Sequence, residues 1–349
     1  MRKWLSKGMG ILSKKIAIDL GTAYSIVAFD DSRPDWRTAS FVAVERKTGR
    51  AVSYGDQAKE MQGKSHQAYD IVRPLKDGVV ADYEATRQYL NYLLDSAIGS
   101  GFSMSYKIFL CVPWGATSVE LKGYEYSLQR RRTKLFLVRE PFAAALGSDL
   151  EILGDEPKTI VDMGGGTTEI ATIASGFMLQ ASSLRAAGNF CDELIIRQLR
   201  RVLNYEVGLT TAERLKQEHA SVWPVIDDYK IEFKGSRRDT QLPDSGEIGS
   251  HELRSILEIY AIQVEKLINS HLQRLPAEAQ LAARNKGICL TGGTSLIKGW
   301  QERLEKRLGI PVRIADRPTH SVIMGMKKII QSPSNYRNIL KISQKIYSS

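Results

Sequence analysis

The chain has 349 residues, 43% of them hydrophobic, enough to fill the cores of two ordinary domains. No apolar run approaches the roughly 18 residues that cross a bilayer, and the N-terminus lacks the apolar core and cleavage site of a secretory signal, so a cytoplasmic protein is expected. The formal charge of +10 is scattered rather than interleaved with aromatic residues, which argues against a nucleic-acid platform. Cys111, Cys191 and Cys289 stand far apart among apolar neighbours, as reduced packed thiols do, and the five histidines have no metal-ligand spacing.

Residues 1–13 open with Arg2, Lys3 and Lys7, while Trp4, Leu5, Ile11 and Leu12 fall on one helical side. This predicts an amphipathic segment suited to an anionic membrane, weakened by Gly8 and Gly10. Residues 16–18 and 26–29 are β-rich and flank Asp19-Leu20-Gly21-Thr22, which predicts a hairpin. Val79, Tyr83, Thr86, Leu90, Leu93 and Ala97 recur at helical spacing, and Ile108–Val112 reads as a buried strand stopped by Pro113. Basic residues concentrate at Arg130-Arg131-Arg132 and Arg237-Arg238. Lys158–Val161 and Glu169–Ile173 flank a second turn, Asp162-Met163-Gly164-Gly165-Gly166-Thr167-Thr168. The glycines, serines and proline of 235–249 read as a surface loop, and Ser250 as the N-cap of an amphipathic helix. Finally, Gly287–Leu290 runs as a strand into a third glycine loop, Thr291-Gly292-Gly293-Thr294.

The phrase acid, glycine, threonine thus occurs twice, each time after an apolar strand. Such a repeat suggests a duplicated unit whose halves close on one ligand from two sides. Phosphate oxygens need many donors, and backbone N–H groups reach them only where side chains do not obstruct. Gly21, Thr22 and Ala23 on one side, with Gly164, Gly165, Gly166, Thr167 and Thr168 on the other, are therefore candidates to clamp a nucleotide triphosphate. Asp19 and Asp162 are candidates to hold Mg²⁺, through water, because that ion keeps most of its hydration shell. The chain has no G-x-x-x-x-G-K-[ST] element, so a P-loop is not expected.

In the order of these motifs the chain resembles the actin, sugar-kinase and heat-shock-chaperone ATPase superfamily, and within it the bacterial actins. Ile18–Ala23 resembles the first phosphate loop, Leu137–Ala145 the connecting helix, Val161–Glu169 the second phosphate loop and Leu290–Thr294 the adenosine loop. Arg73–Val79, Val112–Thr117 and Ala212–Lys216 are similar to stretches of the MreB branch, whereas Glu140-Pro141-Phe142, Ala187–Glu193 and the tail around Pro318 and Tyr336 look more like the MamK branch. The MreB-like pattern has aspartate where Asn189 stands and asparagine where Tyr24 stands.

The resemblance implies an α/β, actin-like two-lobed ATPase fold, a duplicated ribonuclease H-like domain with a subdomain inserted in each copy. Lobe I would span 14–145 plus 318–349, with a small subdomain at about 33–65, and lobe II 146–317, with a small subdomain at about 181–252. It also implies ATP and Mg²⁺ as cofactors, Glu140 orienting the attacking water with help from Thr167, and Asp162 beside them. Gly188, Glu213 and Lys216 would sit at the ribose, Gly292, Gly293 and Thr294 at the adenosine, with Asp192 a further site residue. The implied partner is the chain itself in a filament, together with membrane-bound cell-wall or organelle-associated proteins. Phe102 and Met104 would form a second membrane contact. The expected function is an MreB-type scaffold for cell shape and wall synthesis. The alternatives are a MamK-type filament that positions magnetosomes, a non-polymerising adaptor, or a small-molecule kinase on the same fold.

Overall fold

The structure is a computed structural model that describes residues 14–62, 68–76, 78–99, 105–128, 133–224 and 226–342. The amphipathic segment 1–13, Phe102 and Met104, and the basic run at Arg130-Arg131-Arg132 lie outside the described residues.

Two large sheets carry the same strand plan. In the first, Trp36–Ala39, Tyr24–Phe29 and Lys14–Leu20 form an antiparallel meander, and Tyr106–Val112 and Thr133–Arg139 continue it in parallel. In the second, Phe177–Leu184, Thr168–Ala174 and Lys158–Met163 form the meander, and Ile288–Thr291 and Val312–Ile314 the parallel pair. The first sheet alone gains an edge strand, Leu340–Ile342, antiparallel to Thr133–Arg139. Central strands such as Thr168–Ala174 are buried along their whole length, because helices cover both faces of the sheet. Two three-stranded sheets stand outside this pair, one within 42–72 and one within 205–249.

One apolar core joins the two halves. It takes Ala17, Phe109 and Cys111 from the first sheet, Ile160, Ala171 and Cys289 from the second, and the inner faces of helices Glu140–Gly147 and Ser321–Gln331. These two helices cross with almost no side chain between them. A Cβ on Gly147 would lie 1.7 Å from Ser321 O, and one on Gly325 1.9 Å from Ala143 O. All three cysteines are buried and free, as their apolar neighbours predict.

Three local readings change. Val79 belongs to a two-residue strand, and the helix runs Tyr83–Ile98, because Asp82 Oδ1 accepts the Ala85 N–H at 2.9 Å and starts it there. The stretch 235–249 is not a loop but mostly hairpin, Lys230–Arg237 paired with Pro243–Gly249. Its glycines serve close packing: a Cβ on Gly246 would lie 2.5 Å from the Phe233 ring, and one on Gly235 2.7 Å from Glu206 O. Ser250 is the first helical residue rather than the cap. Gly249 takes the cap position, Glu252 Oε2 accepts its N–H at 3.0 Å, and Ser250 Oγ instead donates to Asp228 Oδ1 at 2.8 Å.

Candidate functional site

Both glycine phrases fold as tight turns between paired strands, since Leu20 pairs with Ser25 and Met163 with Thr168. The turns face each other across the gap between the sheets. A Cβ on Gly166 would lie 2.5 Å from Thr22 Oγ1, and one on Gly165 2.9 Å from Ala23 Cβ. Glycine at 165 and 166 therefore lets the two loops approach this closely.

The second loop is braced from behind. Gly164 N–H donates to Thr167 O at 2.9 Å across its own turn. Its carbonyls accept from Thr294 Oγ1 (2.7 Å to Gly164 O) and from the Asn189 N–H (2.8 Å to Gly165 O), which opens helix Gly188–Val202. Lys216 Nζ donates to Gly188 O at 2.9 Å and to Asp192 Oδ2 at 2.7 Å. Gly292 sits at φ +81°, and a Cβ there would lie 2.4 Å from Asp162 Oδ1 and 2.3 Å from Met163 O, so the third glycine loop presses on the base of the second.

Between the loops lies a cavity of about 430 Å³. Asp19, Gly21, Thr22, Ala23, Glu140, Gly164, Gly165, Gly166, Thr167, Gly188, Glu213, Lys216, Gly293 and Thr294 all line it. Asp162, Thr168 and Gly292 do not. Thr167 stays in the turn while Thr168 opens the strand; the Thr168 Oγ1 donates to Ala186 O at 2.8 Å and bonds the Tyr260 hydroxyl at 2.8 Å. Its hydroxyl is thus a core group rather than a phosphate donor. Glu213 and Lys216 share a helical face but do not pair with each other; Glu213 meets Lys59 and Lys216 meets Asp192.

The sequence reading missed Arg37, Gln217 and Thr319, which also line the cavity. Gln217 was within reach, because it lies four residues after Glu213 on the same helical face. It also missed a brace across the gap. Glu169 Oε2 accepts the Trp114 N–H at 3.1 Å, while Arg139 Nη1 donates to Pro113 O at 2.7 Å and Trp114 O at 3.0 Å. The loop after strand Tyr106–Val112 is thereby fastened both to the second sheet and to the residue preceding Glu140.

The floor of the site is acidic and dry. Burial raises Asp19 to about 7 and, with repulsion from Asp19 and Glu169, raises Asp162 to about 8. Glu140, the first residue of its helix, is pushed well above the usual carboxylate range by burial and then by Asp162, Glu169 and Asp19. Asp162 Oδ2 is buried with no hydrogen-bond partner among the described residues. Carboxylates crowded in this way, one with an orphaned oxygen, fit a divalent cation that would supply the missing positive charge. Among the described residues no group of three or more His, Cys, Asp or Glu could hold a metal ion by itself.

The family description that matches this chain, MreB/Mbl protein, covers residues 13–338. The chain belongs to the MreB/Mbl family. It is 33% identical over 316 residues to the cell shape-determining protein Mbl of Bacillus cereus, covering 90% of this chain and 95% of that one. It is 31% identical over 333 residues to the cell shape-determining protein MreB of Escherichia coli, covering 94% and 96%. Among solved structures, MreB5 of Spiroplasma citri bound to ADP superposes with a TM-score of 0.85 at 27% identity, over 94% of this chain and 98% of that one. The same protein bound to AMPPNP gives 0.84. A MamK double helical filament gives 0.77 at 23% identity over 92% and 99%, a likeness of fold alone. This member of the MreB/Mbl family is an actin-like cytoskeletal protein with the expected α/β actin-like fold. No helix among its described residues is long and apolar enough to cross a membrane.

Proposed function

We propose that this MreB/Mbl protein binds ATP with Mg²⁺ in the cavity between its glycine loops, hydrolyses it, and assembles with copies of itself into cytoplasmic filaments that scaffold cell shape and wall synthesis. The observation that carries this reading is the meeting of two phosphate-type loops over a buried cluster of carboxylates, in a family whose solved members include nucleotide-bound structures.

The backbone of Gly21–Ala23 and Gly164–Thr167, with the hydroxyls of Thr22 and Thr167, would bind the phosphates. Glu213 and Lys216 would face the ribose, and Gly293 and Thr294 the adenosine. Asp19 and Asp162 would hold the hydrated cation, whose charge offsets the phosphates and lets the buried acids ionise. Glu140, held at a helix start and shielded from bulk water, would orient the water that attacks the γ-phosphorus as ADP leaves, a positioning role typical of phosphoryl transfer. Thr167 would help to place that water.

Nucleotide between the halves would fix their angle, and that angle would present surfaces to the next subunit in a head-to-tail, non-closing contact. Attachment to the inner membrane face through residues 1–13, and contact there with wall-building proteins, extend the same proposal. A magnetosome role draws on a few MamK-like stretches and on a neighbour of shared fold, and the family matches favour the cell-shape role. Pelleting and negative-stain microscopy with ATP and Mg²⁺ test the assembly step: filaments above a critical concentration are expected, and monomers alone over a wide concentration range would overturn it.

A further inference from the structure

Lys59 lies in the short helix Gly55–Glu60 of the first half, and Glu213 in helix Leu209–His219 of the second, 154 residues apart in the chain. Lys59 Nζ donates to Glu213 Oε2 at 2.7 Å and to the Tyr24 hydroxyl at 3.1 Å, and the two charged side chains are only 19% and 12% exposed. Tyr24 and Glu213 both line the cavity, one from each half of the molecule. The amine therefore ties wall to wall along the cavity edge.

The contact has a second, apolar part. Leu209, at the start of the helix that carries Glu213, packs with Met61 and Tyr24 against Ala39, Phe41 and Ala58 of the first half. From strand Trp36–Ala39 the Arg37 guanidinium lies 3.6 Å from the centre of the Tyr24 ring, and Lys59 Nζ lies 5.1 Å from the same ring. Tyr24 is also one of the two residues that depart from the MreB-like pattern, and here its hydroxyl accepts from the amine.

We propose that Lys59 is a latch for the bound nucleotide: with Tyr24 as its seat and Glu213 as its catch, it holds the two halves together over the cavity and sets the rate at which nucleotide leaves. This rests on the ATP-cleft reading above. A ligand enclosed by two walls leaves when they part, and parting here breaks a mostly buried ion pair together with the Leu209 contact. A charge-assisted bond of this kind slows opening by roughly tenfold or more.

The test uses the purified full chain loaded with etheno-ADP, whose label on the base leaves the ribose free, and chased with excess ADP in a stopped-flow instrument. Lys59→Met keeps the apolar stem and removes the charge; it is expected to release the probe about tenfold faster, and Lys59→Arg to release it close to the wild-type rate. Tyr24→Phe, which removes only the hydroxyl, should fall between. Release from a folded Lys59→Met variant within twofold of wild type overturns the latch, as does release from Lys59→Arg as fast as from Lys59→Met. Failure of the wild type to bind unmodified ADP in calorimetric titration would overturn the ATP-cleft reading itself, and the latch with it.

Discussion

Asp162→Asn should make the empty protein more stable at pH 8 while weakening the Mg²⁺-dependent part of its response to ATP. Asp162 titrates at about 8 in the folded chain and near its ordinary value of 3.8 when unfolded, because burial and the charges of Asp19 and Glu169 oppose its ionised form. Between those pH values the folded state holds a proton that the unfolded state has lost, so stability falls as pH rises, by about 1.4 kcal/mol per pH unit for each such proton. With an unfolding entropy of roughly 2.1 cal/mol/K per residue over 349 residues, that slope amounts to roughly 2 °C in Tm per pH unit. The asparagine does not titrate, and it also relieves Glu140 of a neighbouring charge. The variant's Tm should therefore decline less steeply between pH 5 and 7.5, by at least that amount. Differential scanning fluorimetry in EDTA, without nucleotide and at constant ionic strength, reads both curves. Adding Mg²⁺ to the ATP-loaded protein at pH 8 should raise the wild-type Tm more than the variant's. Parallel curves, or a variant less stable than wild type at pH 8, would refute the reasoning.

Two glycines carry further expectations. Gly166→Ala places a Cβ 2.5 Å from Thr22 Oγ1 and 3.0 Å from Gly78 N, which forces the phosphate loops apart. Overpacking of this kind costs about 1–3 kcal/mol, so etheno-ADP should bind roughly five- to hundredfold more weakly by calorimetric titration, and an unchanged Kd would show that the loops do not grip the ligand together. Gly325→Ala sets a Cβ 1.9 Å from Ala143 O at the crossing of the two central helices. Backbone must move there, and a loss of about 3 kcal/mol or more in urea unfolding is expected; a loss below about 1 kcal/mol would mean the crossing is looser than described.

The parts of the fold that were legible in the sequence are those written locally. An apolar strand, an acid, glycines and a threonine announce each phosphate turn, because the backbone conformation and the chemistry reside in the same few residues. The helix starting at Tyr83 was placed four residues early because Val79 shares its apolar spacing; Asp82, a strong N-cap residue, and Gly78 at φ +75° were the local signals against it. The hairpin within 230–249 was hidden because its glycines make room for Phe233 and Glu206, neighbours that only the pairing of strands creates. Thr168 looked like part of the phosphate turn, yet it opens the strand and its hydroxyl bonds Tyr260, 92 residues away. Lys59 and the Glu169 brace had no sequence signal at all. Their partners lie across the gap between the two halves, and no local pattern records which surface residues will face each other there.

The central claim is that the carboxylate floor and the two loops form an ATP-hydrolysing site with Glu140 at its working position. Phosphate release from ATP, measured with Mg²⁺ on the full chain and on Glu140→Ala, tests it most directly. The wild type should release phosphate as filaments form, and the variant should bind and assemble while releasing it at least about a hundredfold more slowly. Equal release from both proteins would contradict the account, as would no release from the wild type at any concentration that assembles.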